Sequence, residues 1–129
     1  NPVMHCFYRI PELNILSDLQ LILYHITKDP RYQTNIESFI DGWISGNAVD
    51  YTPGGLAYRL EWGSNRYAAN VANLALLSAK EGINPAAYSS WAQSQIDYML
   101  GDNPLQISYQ VGYPDDNAYF PRQPHHKAA

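Results

Sequence analysis

Cysteine and charged residues are scarce in this chain, and each shortage excludes a class of protein. The 129 residues include one cysteine, Cys6, so the sequence predicts neither an internal disulfide nor a cysteine-based zinc cluster. Only 16% of the residues are charged and the net charge is -4, which leaves no basic face for nucleic acid or an anionic membrane. No apolar run reaches the roughly 18 residues of a transmembrane helix, so we expect no membrane span and no signal peptide within these residues.

Aromatic residues are abundant by contrast, with 11 tyrosines and 3 tryptophans. Apolar residues make up 46% of the chain, which is enough to bury the core of the one domain that its length predicts. Flat aromatic side chains bind the apolar faces of neutral sugar rings and leave the sugar hydroxyls to polar groups. The aromatic content therefore favours a neutral partner, and the net charge of -4 is compatible with a neutral or cationic one.

Four helices are predicted from the spacing of apolar residues, and strand patterns are nearly absent. The stretch 13–26 is apolar on most sides, which predicts a helix buried over most of its surface. Asp29 and Pro30 then supply the cap and the first residue of a second helix. A third helix is expected at about 65–80, and a fourth from Pro85 to a stop at Gly101.

Two connections are long. Residues 46–63 join the second and third predicted helices, and residues 102–124 follow the fourth. Paired helices joined by long loops favour an all-α toroid or solenoid. Long connections in a compact helical domain are usually functional, so we expect both to frame a substrate cleft. Trp43 and Trp91 fall at helical core spacing and are predicted to be buried.

Motifs in and beside these two connections resemble family 9 of the glycoside hydrolases, the cellulase family. The first group is Thr52-Pro53-Gly54-Gly55-Leu56, Trp62-Gly63 and Arg66-Tyr67-Ala68. The second group is Gly101-Asp102-Asn103-Pro104, then Ser108, Val111-Gly112 and Pro124-His125-His126. In that family the corresponding motifs are TPGGL, WG and RYA, followed by GDNP, Ser-x-x-Val-Gly and Pro-His-His-Arg.

The resemblance implies that residues 1–129 are part of a family 9 catalytic domain that is incomplete at both ends. The implied fold is all-α, a portion of an (α/α)6 barrel built of helix hairpins with long cleft-forming loops. The implied activity is that of an endo-β-1,4-glucanase, which hydrolyses cellulose with inversion. We expect such an enzyme to need no cofactor, to be a monomer when complete, and to be secreted, because polymeric cellulose lies outside the cell.

The resemblance also implies that both catalytic carboxylates lie outside this chain. In family 9 the base comes from a paired-aspartate motif well before the region covered, and the acid is a glutamate beyond the Pro-His-His segment. We therefore predict that these 129 residues alone are inactive. We also expect them to fold poorly, because a half-formed toroid leaves helix faces unpaired and exposes large apolar patches. Asp115 and Asp116 are interpreted as a solvated turn rather than as substitutes, because adjacent side chains on an extended loop diverge. Asp102 is interpreted as part of an architectural turn.

His125 is the strongest candidate site residue, since it matches the histidine that hydrogen-bonds the sugar beside the scissile bond in family 9 enzymes. The alternative is a structural histidine whose hydrogen bonds are satisfied within the protein. An imidazole donates at one nitrogen and accepts at the other, and bonds that tighten as the sugar ring distorts assist catalysis. His126 and Lys127 are candidates for substrate binding, although Lys127 replaces the family's arginine and lacks its planar fork. Adjacent histidines seldom face one metal together and no HExxH spacing is present, so no metal site is predicted.

Four aromatic residues complete the predicted substrate-binding set: Trp62, Tyr67, Tyr109 and Tyr113. Trp62 is the best candidate for stacking on sugar, and the alternative is a core tryptophan behind the cleft. Tyr67 begins a helix, where it either faces the cleft or pairs locally with its neighbour.

The Thr52-Pro53-Gly54-Gly55 segment has two interpretations. Proline and two glycines explain a tight turn without any function. The functional interpretation adds that the turn gathers Tyr51, Tyr58 and Trp62 on one rim of the cleft.

An alternative function for the chain is a non-catalytic helical carbohydrate-binding or interaction module. A third is another α-toroid glycosidase that cuts a different linkage.

Overall fold

A computed structural model describes residues 12–113, with side chains from residue 16 onward, and consists of four helices and one small hairpin. The elements in chain order are α1 (Glu12–Thr27), α2 (Pro30–Ile44), β1 (Asp50–Tyr51), β2 (Ala57–Tyr58), α3 (Ser64–Lys80) and α4 (Pro85–Leu100). The four predicted helices are confirmed, each to within one or two residues at either end. The hairpin was not predicted, because strands of two residues are too short to show an alternating pattern.

The start of α2 follows the predicted capping chemistry. The Asp29 side chain accepts a hydrogen bond of 2.9 Å from the backbone N–H of Arg31, and Pro30 occupies the first turn, where its missing N–H costs nothing. Spacings of three and four residues then place Ile36, Ile40 and Trp43 on one buried face. Trp43 is therefore in the core, as predicted.

Helices α3 and α4 form the most extensive helix pair among the described residues. Ala68 and Ala72 on α3 have no exposed surface, and such small side chains allow neighbouring elements to approach this helix closely. On α4, the apolar ring of Trp91 lies at the buried face beside Ala92, which confirms the predicted core position of Trp91. Gly101, with φ of 121°, ends α4 in a conformation that glycine adopts easily.

Helix α1 corrects one prediction, because it is not buried over most of its surface. Leu16, Ile22 and Ile26 expose 52%, 56% and 71% of their surface, whereas Leu21 is buried. Contacts with α2, and fewer with α3, cover one side of α1. The apolar pattern correctly predicted a helix, but burial depends on neighbours, and no other element among residues 12–113 packs extensively on the remaining sides.

The hairpin of β1 and β2 is antiparallel, with Asp50 opposite Tyr58 and Tyr51 opposite Ala57. The segment Thr52-Pro53-Gly54-Gly55 closes it. The Thr52 N–H donates to the Leu56 carbonyl at 2.9 Å, and the Thr52 hydroxyl accepts from the Leu56 N–H at 3.0 Å. The prediction of a tight turn is confirmed. None of the helices within residues 12–113 is both long and apolar enough to cross a membrane.

Candidate functional site

The two motif-bearing connections lie against each other, although they are far apart in sequence. At Gly54, a side-chain Cβ would come within 2.8 Å of both Cδ of Pro104 and Cε2 of Tyr98. Atoms of two rigid rings therefore occupy the space that any residue other than glycine would need. The Thr52-Pro53-Gly54-Gly55 turn and the Gly101-Asp102-Asn103-Pro104 turn thus form one packed unit.

The side chain of Gln95, on α4, forms hydrogen bonds to the hairpin that carries the first of these two turns. Its side chain is 2% exposed, its Oε1 accepts a hydrogen bond of 2.7 Å from the Ala57 N–H, and its Nε2 donates to the Gly55 carbonyl at 3.1 Å. A buried amide that satisfies two backbone groups fixes their positions, because losing it would leave both groups unpaired. The fourth helix predicted from Pro85 to Gly101 includes Gln95, but the sequence does not predict this role. The available signal was a polar residue on the apolar stripe of that helix.

Asn103 organises the second turn. Its Nδ2 donates to the carbonyls of Tyr98 at 2.8 Å and Ile107 at 2.7 Å, while its Oδ1 accepts from the N–H groups of Leu105 at 3.2 Å and Ile107 at 3.3 Å. Every donor and both lone pairs of the amide group are used. The predicted construction of this turn from side-chain-to-backbone bonds is confirmed at Asn103.

Tyr51 faces the core, which corrects the prediction that it joins Tyr58 on a rim. Residues directly opposite in an antiparallel pair share a face, so Tyr51 lies on the side of buried Ala57 and Tyr58 lies on the other side. The Tyr51 hydroxyl accepts a hydrogen bond of 2.7 Å from the indole N–H of Trp91 and donates to the Trp43 carbonyl at 2.9 Å. Burial raises the pKa of Tyr51, and the bond from Trp91 opposes that rise.

Trp62 and Tyr67 differ in exposure. Trp62 leaves 54% of its surface exposed, so it is not a core tryptophan within the described part of the chain. Tyr67 is only 6% exposed, and its hydroxyl accepts a hydrogen bond of 2.9 Å from Nη2 of Arg66. The guanidinium carbons of Arg66 and Arg59 lie 4.7 and 5.6 Å from the centre of the Tyr67 ring. Tyr67 therefore pairs locally with Arg66, and the substrate-binding roles of Trp62 and Tyr67 stay predictions.

Tyr109 stacks on Tyr98, with ring centres 6.3 Å apart and planes 7° from parallel. Its backbone N–H donates to the Met99 carbonyl at 2.8 Å, which anchors the loop to the end of α4. Burial raises the pKa of Tyr109, and the neighbouring Tyr98 adds to the rise. Tyr109 helps to line a cavity of about 300 Å³, together with Asn65, Ile96, Met99, Leu100 and Gln110. This volume is at the lower end of the range for small-ligand sites.

Tyr113 is 46% exposed at the end of the described residues. The candidates His125, His126 and Lys127 lie outside the described residues, as do Asp115 and Asp116. Their roles remain predictions. Between residues 12 and 113, no group of three or more histidine, cysteine, aspartate or glutamate side chains is arranged to hold a metal ion.

Comparison with known proteins finds endoglucanases of bacteria and eukaryotes. Endoglucanase A of Bacillus pumilus is 42% identical over 120 residues, which is 85% of this chain and 18% of that protein. An endoglucanase of Dictyostelium discoideum is 41% identical over 98 residues, which is 76% of this chain and 13% of that protein. This chain therefore spans less than a fifth of the length of either relative.

Solved structures agree with the fold. The endoglucanase of the termite Nasutitermes takasagoensis superposes with a TM-score of 0.75 at 35% identity, covering 86% of this chain and 24% of that one. Endoglucanase CelQ of Clostridium thermocellum, solved with cellotriose, gives a TM-score of 0.75 at 37% identity, covering 86% of this chain and 19% of that one.

The cellulases that this structure matches are (α/α)6 barrels, so the predicted fold, a portion of such a barrel, is confirmed. Glycosyl hydrolase family 9 matches residues 8–129, which include both groups of motifs and the segment Pro124-His125-His126. The chain belongs to glycosyl hydrolase family 9.

Proposed function

We propose that this chain is the part of an endo-β-1,4-glucanase that supplies one portion of the glucan cleft. The observation that carries the proposal is the contact of Gly54 with Pro104, which joins the two motif-bearing turns into one packed unit. Relatives named endoglucanases, and the CelQ structure with bound cellotriose, support β-1,4-glucan as the substrate. The residues 1–129 would form a partial catalytic domain.

The proposed binding surface uses aromatic and hydrogen-bonding groups. Trp62, half exposed beyond the hairpin, would stack on a glucosyl ring. Tyr109 and Tyr113 would line the cleft beyond the second turn, and Tyr67, held by Arg66, would support its wall. His125 would hydrogen-bond the sugar beside the scissile bond, with His126 and Lys127 next to it.

Hydrolysis with inversion needs a carboxylate that activates water and a carboxylic acid that protonates the leaving oxygen on the other side of the bond. The proposal assigns neither role to a residue of this chain. It places the base in a paired-aspartate motif before these residues and the acid in a glutamate after them. The complete protein would act as a monomer on extracellular cellulose.

The proposal is tested by assaying the complete protein on soluble carboxymethyl cellulose. An endo-acting enzyme lowers the viscosity of the solution early, while few reducing ends have formed. We expect this pattern with the complete protein. Saturable binding of cello-oligosaccharides without any new reducing ends would instead support the alternative, a carbohydrate-binding module. Hydrolysis of an α-linked glucan, with none of β-1,4-glucan, would support a different α-toroid glycosidase.

A further inference from the structure

Gln95 occupies the place where the helical core meets the two motif-bearing turns. It is 2% exposed, whereas Gln93, two residues earlier on α4, is exposed. A glutamine whose whole side chain is buried gains nothing from water, so its amide must be used within the protein. Both ends of that amide bond the hairpin backbone, at the N–H of Ala57 and the carbonyl of Gly55.

These two bonds fix the orientation of the hairpin as well as its position. Gly55 lies in the turn and Ala57 begins β2, so the amide spans the end of the turn and the start of the strand. Because Ala57 is held inward, the strand alternation directs its neighbour Tyr58 to the opposite face. The chain then continues through Arg59, which lies over the Tyr67 ring, to exposed Trp62.

The other side of the same turn rests on the second motif. Gly54 packs against Pro104 and Tyr98, and the Tyr98 ring stacks on Tyr109. A shift of the hairpin would therefore be transmitted to Tyr98 and to the loop that carries Tyr109. Packed interiors do not absorb such shifts without rearrangement.

We infer that Gln95 is a positioning residue for the glucan cleft, which acts through the hairpin on the placement of Trp62 and Tyr109. This inference rests on the proposed function. Gln95 touches no substrate in this account, and its effect is the geometry of the rim. A cleft whose wall is misplaced by about an ångström loses substrate affinity and turnover even when the fold is intact.

The test uses the complete protein and three variants. Gln95→Met keeps the volume of the side chain and removes its hydrogen bonds to Ala57 and Gly55, together with a longer one to the Ser94 hydroxyl at 3.3 Å. Gln95→Glu is the second variant. When its carboxyl is ionised, it accepts a hydrogen bond from the Ala57 N–H but repels the Gly55 carbonyl oxygen. When it is protonated, it accepts from the Ala57 N–H and donates to the Gly55 carbonyl. Gln93→Met is the matched control on the exposed face of the same helix.

We expect Gln95→Met to raise KM for cellotetraose by about tenfold, because the hairpin loses the two hydrogen bonds that hold this wall of the cleft in place. Gln93→Met leaves KM unchanged. For Gln95→Glu, kcat/KM relative to the parent protein rises as the pH falls, because protonation of the introduced carboxyl restores the donor. Amide hydrogen exchange of the peptide spanning residues 54–58 accelerates in Gln95→Met and not in Gln93→Met.

The outcomes distinguish failure of the positioning role of Gln95 from failure of the proposed β-1,4-glucanase activity. If the parent protein hydrolyses β-1,4-glucan and Gln95→Met matches it in KM and kcat, the positioning role is wrong while the proposed function stands. A loss of kcat/KM in Gln95→Glu that stays constant with pH also contradicts the role, because packing alone would then explain the loss. If the parent protein does not hydrolyse or bind β-1,4-glucan, the proposed function fails and the positioning role fails with it, even where hydrogen exchange confirms the two bonds.

Discussion

The indole N–H of Trp91 donates a hydrogen bond of 2.7 Å to the hydroxyl of Tyr51, and that hydroxyl donates to the carbonyl of Trp43 at 2.9 Å. One phenol thus joins β1 to α4 and to the end of α2. Both tryptophans are buried and Tyr51 is partly buried, so the Tyr51 hydroxyl supplies the hydrogen bonds that their polar groups would otherwise make with water.

Tyr51→Phe in the complete protein removes this connection without removing the ring. We expect the free energy of unfolding to fall by about 1–3 kcal/mol, because the Trp91 donor loses its partner in a buried site. Urea unfolding followed by tryptophan fluorescence measures the change. Tyr58→Phe is the control, since Tyr58 lies on the opposite face of the hairpin. Equal stability of the two variants would contradict the role of the Tyr51 hydroxyl.

Gly54→Ala places a methyl group 2.8 Å from the Pro104 and Tyr98 rings. We expect a loss of about 1–3 kcal/mol in the free energy of unfolding, the usual cost of overpacking. A double-mutant cycle with Pro104→Ala measures the coupling between the turns. If the two turns are in contact as described, Gly54→Ala costs less when Pro104 is already alanine. Additive effects would show that the turns do not touch.

Tyr88 gives a prediction at alkaline pH. Its side chain has no exposed surface and its hydroxyl donates to the carboxylate of Asp41 at 3.0 Å. Burial raises the pKa of Tyr88 to about 12. The hydrogen bond from Asn84 opposes this rise, and the hydrogen bond to Asp41 and the negative charge of Asp41 add to it. A raised pKa in the folded state means that this contribution to stability is complete below pH 10 and is lost as the pH rises towards 12.

Melting temperatures of the complete protein and of Tyr88→Phe at pH 9 and pH 11 test this assignment. The difference between the two proteins should shrink from the lower pH to the higher one, because only the parent carries the titrating phenol. Tyr113→Phe is the control, since 46% of Tyr113 is exposed. A difference that stays constant with pH would show that the Tyr88 hydroxyl titrates alike in the folded and unfolded protein.

Trp62→Ala tests the proposed stacking residue. The variant should raise KM for cellotetraose by about tenfold, since it loses both the ring face and its apolar area. Trp62→Phe keeps a flat ring and should lose less. Leu60→Ala is the control, because Leu60 lies in the same connection and is 48% exposed. Unchanged KM in Trp62→Ala would remove Trp62 from the binding surface.

The sequence predicted the helices well because their signals are local. Asp29 and Pro30 begin α2 by chemistry within one turn, and Gly101 ends α4 in the same way. The burial of α1 was predicted wrongly, since Leu16 and Ile26 are apolar yet exposed, and burial is decided by elements far away in sequence. Periodicity reports which residues share a face but not which face is covered.

The candidate site was predicted from motifs, and motifs do not fix side-chain direction. Tyr51 was placed on a rim because it precedes the turn, but the pairing of Tyr51 with Ala57 turns it inward. Gln95 was missed as a site residue because its partners are backbone groups, which have no sequence signature. The contact of Gly54 with Pro104 joins residues 50 positions apart, so only the folded chain reveals it.

The stereochemistry of hydrolysis by the complete protein tests the assignment to an inverting β-1,4-glucanase. Proton NMR of cellopentaose during the first minutes of reaction distinguishes the two anomers of the new reducing end before they equilibrate. We expect the α-anomer to appear first, as inversion at a β-linkage requires, and the isolated 129 residues to produce neither anomer. Initial release of the β-anomer, or turnover by the isolated chain, would contradict this expectation.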